Sequence, residues 1–305
     1  MTAQLSRREL LLGALAGIGC MAFARPSGVL VDTHIHLFAP DQKRFPYHPL
    51  APYKPEASSL EDYVKFARQA RIDHTIIIHP EPYQDDHSYL EYCLENEPSR
   101  GFFKGTCLFD PIAPDTPQRM SALAKKYPGR IVSLRIHAMQ PANTPPSADG
   151  AIRNRDLKHP GMKATWKAAH QSGINIQVQF IPVHAPELAA LAAEFRDTPV
   201  VMDHLARYGS GTPAQFEEVL KMAKLPRVFM KYSGVSDASK DSAKPIVRRV
   251  YDAFGPDRIL WGGLGSSMEQ FDRNVAIFDE VFDFAPESER AKIRGLNAMK
   301  LFGFS

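Results

Sequence analysis

The chain has 305 residues, 44% of them hydrophobic and 23% charged, with a formal net charge of +3. This is the composition of a globular protein with enough apolar mass for a large core. No stripe or block of Lys and Arg runs along it, which argues against nucleic acid as the partner.

Residues 1–24 read MTAQLSRRELLLGALAGIGCMAFA, with Arg7 and Arg8 ahead of an Ala/Gly/Leu-rich run and Ala22-Phe23-Ala24 as a small-x-small cleavage site. The stretch SRRELL resembles a bacterial twin-arginine signal. The apolar run is about 14 residues long, short of the ~20 that cross a bilayer. The expectation is a cleaved export signal over 1–24, a mature periplasmic domain over 25–305, and no stable membrane anchor after cleavage. A chain that folds before export cannot depend on disulfides. Cys93 and Cys107 accordingly read as small core residues, and no Cys-x-x-Cys or zinc-type Cys/His spacing is present.

From residue 28 onward, strand-like and helix-like patterns alternate. Apolar runs fall at 29–36, 74–79, 101–109, 131–138, 174–180, 200–204, 228–232 and 259–261, eight in all. Helical periodicity occupies 59–70, 87–97, 116–127, 161–172, 185–195, 212–223, 243–254 and 268–282, followed by a C-terminal helix over 286–301. Ser59 and Thr212 are natural helix caps. Eight strand–helix units without a linker predict a single-domain α/β fold, a (β/α)₈ TIM barrel. Two long Pro-rich loops, 38–58 and 139–159, follow strands and are expected over the C-terminal mouth, as lid or substrate wall.

The first run ends VDTHIHLF. His34 and His36 are two apart in a strand and share a face. Other strand ends carry His79, the pair Arg135 and His137, the pair Gln177 and Gln179, the triplet Asp203, His204 and Arg207, and Tyr232. Catalytic residues of this barrel sit at strand C-termini, so the cluster reads as an active site. Imidazole can ligate a metal or move a proton, and its unperturbed pKa near 6.5 suits both tasks at neutral pH.

The runs VDTHIH, VMDHLAR and RILWG, in this order, resemble the amidohydrolase-related family of the amidohydrolase superfamily, in the branch of sugar-acid lactonases, 4-sulfomuconolactone hydrolases and 2-pyrone-4,6-dicarboxylate hydrolases. The resemblance implies a barrel that hydrolyses a small acidic lactone or ester, or in some members decarboxylates an aromatic acid. It implies Arg135 at the substrate's acid group, a planar guanidinium being suited to grip a carboxylate; Arg207, Gln177, Gln179 and Tyr232, at or just beyond strand ends, are the further candidates for binding the substrate. The family's strand-eight aspartate, its general base, falls on Leu264, and its strand-five histidine on Gln177 or Gln179. The remaining candidates for the base are His79, His137, Asp203 and His204, with His34 and His36 beside them. The metal expectation is therefore none, or one weakly held divalent ion, zinc first, on His34, His36 and His204. A barrel that binds a sugar acid or aromatic acid without turning it over is the alternative. The oligomeric state is left open.

Overall fold

The computed structural model describes residues 26–141 and 143–304; the expected signal lies outside them. Eight strands form one sheet in sequence order, every neighbouring pair parallel. They are β1 Val31–Ile35, β2 His74–Ile78, β3 Phe103–Cys107, β4 Ile131–Ala138, β5 Asn175–Phe180, β6 Val200–Met202, β7 Val228–Tyr232 and β8 Ile259–Trp261. Helices α1 Leu60–Ala70, α2 Ser88–Glu95, α3 Thr116–Lys126, α4 Pro160–Gln171, α5 Ala185–Glu194, α6 Pro213–Lys221, α7 Lys240–Phe254 and α8 Met268–Val281 alternate with them. This is the (β/α)₈ barrel that the periodicity predicts.

Local chemistry sets the helix starts. Ser59 accepts the Asp62 N–H at the head of α1, and Thr212 with Gln215 forms a reciprocal capping box on α6. The expected C-terminal helix is instead broken into Glu287–Ala291, a π turn Lys292–Leu296 and Asn297–Phe302. The cause is a close crossing: a Cβ on Gly295 would lie 2.2 Å from the Val29 carbonyl oxygen. Cys93 and Cys107 are free and buried.

The seam between β8 and β1 is joined through side chains. Thr33 donates to the Trp261 carbonyl at 2.8 Å, and the Asp32 carboxylate accepts N–H groups of His34, Gly263 and Leu264 at 2.9, 2.8 and 3.1 Å. Gly262 permits this approach, since a Cβ there would stand 2.7 Å from Thr33 Oγ1. One apolar layer packs strands against helices; a second, with Val31, Ile76, Ile78, Val132, Val201 and Leu260, fills the barrel with Phe302 and Phe304 beneath it.

Both long loops are tied down. Residues 38–58 are bridged by Phe38 and Ser58, and Tyr83 Oη accepts the Ala39 N–H at 2.7 Å. In the second loop Arg155 is buried; it pairs with Asp110 at 2.8 Å and donates to the carbonyls of Asp149, Ala151 and Arg153, each at 3.2 Å.

Candidate active site at the barrel mouth

The two histidines of the opening motif meet edge to face, ring centres 5.1 Å apart, and His204 from the end of β6 stands 4.5 Å from His34. Below them lies a buried ionic network centred on Asp203, which is fully enclosed. Asp203 accepts from Arg135 Nε at 3.2 Å and from Gln177 Nε2 at 3.0 Å, and pairs with Lys231 Nζ at 3.1 Å. Arg135 also donates to Gln179 at 2.8 Å. Lys231, itself fully buried, donates to the Thr33 carbonyl at 2.9 Å and lies 3.4 Å from His34 Nδ1.

Electrostatics follow from this burial. Burial alone pushes the Asp203 carboxyl up, but Lys231, His34 and Arg135 outweigh it and hold the group well below the carboxylate range. Burial drives the imidazoles the other way: His36 to about 3, His204 to about 4, His34 and His137 well below their usual value. The expectation of a histidine near 6.5 is thus corrected, and at neutral pH the mouth holds uncharged imidazoles. His36 Nδ1 lies 2.8 Å from the Ile78 carbonyl, so that nitrogen carries the proton and Nε2 is a bare acceptor. His204 Nδ1 lies 2.8 Å from Ser233 Oγ.

The structure brings together His34, His36, Asp203, His204, Arg135, Gln177 and Gln179. His137 belongs to the same neighbourhood, sensing the charges of Arg135, Asp203 and Arg153, and its Nε2 is buried without a hydrogen-bond partner. Arg207 is exposed and, with His204, Tyr208, Ser233 and Gly234, lines a cavity of about 470 Å³. The segment carrying both His204 and Arg207 is unusual. Four successive residues, His204, Leu205, Ala206 and Arg207, have φ of 53, 52, 52 and 51°. Left-handed backbone costs a non-glycine residue roughly 1–2 kcal/mol, and such strain collects at functional sites.

Two expected site residues face elsewhere. His79 Nε2 bonds the Gln84 carbonyl at 2.9 Å and its ring lies 4.4 Å from His87. Tyr232 packs on Phe282 and Phe278 at 5.1 and 5.7 Å, in the helix layer. Strand alternation explains both: Lys231 and Ile78 take the inward face, so their neighbours Tyr232 and His79 point out. Leu264 is fully buried in the apolar core, and Glu269, the next acid, stands exposed on α8.

Sequence reasoning missed Lys231, Asp32, Ser233 and a pair over the mouth, Arg153 with Glu81 at 3.0 Å. The legible signal for Lys231 was a lone charge inside an apolar strand, VFMKY.

Three side chains, His34, Asp203 and His204, offer ligand atoms within 4.8 Å of one another and could hold a metal ion. The donor chemistry does not fit a resident divalent cation with Lys231 in place. The carboxylate of the three is already shared by two cationic side chains, and the His34 nitrogen nearest Asp203 faces the Lys231 ammonium.

Barrel and mouth together define a hydrolase of the amidohydrolase type. Residues 31–304 match the amidohydrolase family, and the chain belongs to it. It is 26% identical to 4-sulfomuconolactone hydrolase of Rhizobium radiobacter over 297 residues, 93% of this chain and 92% of that one. Among solved structures it resembles a 2-pyrone-4,6-dicarboxylic acid hydrolase from Acinetobacter baumannii with citric acid bound, at a TM-score of 0.72 and 16% identity, covering 91% of this chain and all of that one. An amidohydrolase from Burkholderia multivorans with bound zinc superposes at a TM-score of 0.69 with 15% identity, covering 91% and 100% of the two chains.

Proposed function

We propose that the protein is a lactonase that opens the ring ester of a small acidic lactone without a metal. The observation that carries this is the mouth itself, where the Arg135 guanidinium sits beside uncharged imidazoles under two tied-down loops. The likeness to a sulfomuconolactone hydrolase supports the substrate class.

In this reading Arg135, oriented by Gln179 and Asp203, grips the substrate's carboxylate or sulfonate. Arg207 and Arg153 at the rim draw the anion in. The ester carbonyl then lies above His34, His36 and His204. Water adds to the carbonyl carbon as an unprotonated imidazole takes its proton. His204 is the natural acceptor, because its Nδ1 faces Ser233 and leaves Nε2 for water. The tetrahedral adduct collapses, the ring C–O bond breaks, and the leaving oxygen takes the proton back from the imidazolium, giving a hydroxy acid. The export motif at Arg7-Arg8 supports placing this reaction in the periplasm.

The test is a panel of γ- and δ-lactones, with and without a carboxylate or sulfonate, assayed by acid release with a pH indicator. Turnover restricted to acidic lactones, and lost with Arg135→Met, is expected. Equal turnover of neutral lactones, or an Arg135→Met enzyme with unchanged KM, would refute the role of Arg135. A folded protein that binds these acids but opens none is the non-catalytic barrel.

A further inference from the structure

Lys231 is fully buried at the inner end of β7, and its ammonium has three protons to place. Three acceptors surround it: the Thr33 carbonyl at 2.9 Å, Asp203 Oδ1 at 3.1 Å and His34 Nδ1 at 3.4 Å. The carboxylate among them favours the charged form of the amine. Two of these acceptors, His34 and Asp203, belong to the trio that could hold a metal ion. We infer that Lys231 is the resident cation of this site, its ammonium standing between His34 and Asp203 where a divalent ion would otherwise be held.

Three consequences follow from the geometry. Asp203 is neutralised from within by Lys231 on one oxygen and Arg135 on the other, so it has no charge left to attract an ion. His34 Nδ1 is already occupied, lying 3.4 Å from the Lys231 ammonium and 3.5 Å from Asp203 Oδ1, so this nitrogen does not face open space where an ion could sit. An entering cation would also meet an ammonium and a guanidinium within a few ångströms, in a buried setting that screens them poorly. The site is thus built to work without a metal whichever ester it opens, and it becomes a metal site when the lysine charge is removed.

The experiment uses the mature protein, dialysed against a chelator and then equilibrated with zinc chloride. Wild type is expected to retain well under one equivalent of zinc by elemental analysis, with no shift in melting temperature on adding zinc. Lys231→Met and Lys231→Gln are expected to take up about one equivalent, with affinity raised roughly 100-fold or more, and to melt higher in zinc. Stoichiometric zinc surviving chelation in the wild type overturns the inference, as does a folded variant that binds no more zinc than wild type. If neither variant folds, ¹⁵N-lysine NMR of the wild type decides: the protected ammonium signal stays in place on adding one equivalent of zinc, and its displacement overturns the inference. None of these readouts depends on lactone turnover, so the proposed activity and this assignment fail separately.

Discussion

Replacing Asp203 by Asn tests the ionic network directly. The side chain is fully buried, and its two oxygens accept from Lys231, Arg135 and Gln177. An amide is isosteric but has one acceptor oxygen and one NH₂. Whichever way it is turned, the NH₂ faces a cationic donor, Lys231 at 3.1 Å or Arg135 at 3.2 Å. One buried cation loses its partner and the other its countercharge. Breaking a buried pair from one side costs about 3–5 kcal/mol, a large share of the roughly 5–15 kcal/mol that stabilises a typical protein. The corresponding fall in Tm is roughly 5–8 °C for a chain of this size, but the loss of free energy is the quantity to follow. Urea unfolding followed by circular dichroism at pH 7 measures it. The double variant Asp203→Asn, Lys231→Met should regain part of the loss, because it removes the orphaned charge. A pH series adds a second reading. The Asp203 carboxyl is held below its unfolded value, so its contribution is present above about pH 4 and disappears as pH falls through the folded value. The difference between wild type and variant should therefore be flat above about pH 5 and shrink below about pH 4. An Asp203→Asn protein within about 1 kcal/mol of wild type at pH 7 would refute the network as a structural unit.

Acid stability and activity should respond to the buried histidines. His34, His36, His79, His87, His137 and His204 are all held below their usual value, chiefly by burial. On unfolding they take up protons below about pH 6.5, so stability should fall as pH drops from there toward about 4. Asp32, raised to about 6 by burial, acts in the opposite sense, as do Glu81 and Asp279, also raised by burial, but these are three groups against six. If His204 is the base, kcat/KM should stay level from pH 7 to 5 and drop near 4; an acid limb near 6.5 would point to an exposed histidine instead. Arg155→Ala removes the donor that ties the second long loop to Asp110 and to its own carbonyls, so limited proteolysis should cut within 139–159 while the barrel stays folded. Protection equal to wild type would show that the loop holds itself. Mass spectrometry of exported protein should find an N-terminus near Arg25, and an intact Met1 in the cytoplasm would reject the export proposal.

The barrel was legible because eight apolar runs alternate with helical periods, a pattern that depends only on which faces are buried. The mouth was legible as a set of polar residues at strand ends, and most of them converge. What alternation alone misjudged was phase. In β7 the lone charge Lys231 points inward and Tyr232, the more conspicuous residue, points out. In β2 the inward face is that of Ile76 and Ile78, so His79 turns toward His87. β1 breaks the rule differently: Val31 lies in the inner apolar layer and His34, three residues on, at the inner mouth, because the pairing with β2 shifts register between Asp32 and Ile35. A bulge of this kind follows from how neighbouring strands meet and leaves little trace in a single strand's sequence. The same holds for Arg153 and Glu81, whose encounter depends on the path of a long loop.

The left-handed turn at His204–Arg207 bears on how the site comes into being. Its four residues disfavour that backbone on their own, so the segment is a poor nucleus and should adopt its shape only after the strands around it have closed. The position of the His204 imidazole is then inherited from the finished barrel and not from local preference. In a partly opened molecule this turn is among the first places to relax, and the ring would swing away from Ser233 before the sheet itself gave way. With His204 as the base, as proposed, catalytic competence would vanish ahead of global unfolding, and the temperature at which activity is lost would report on one strained turn and not on the barrel as a whole.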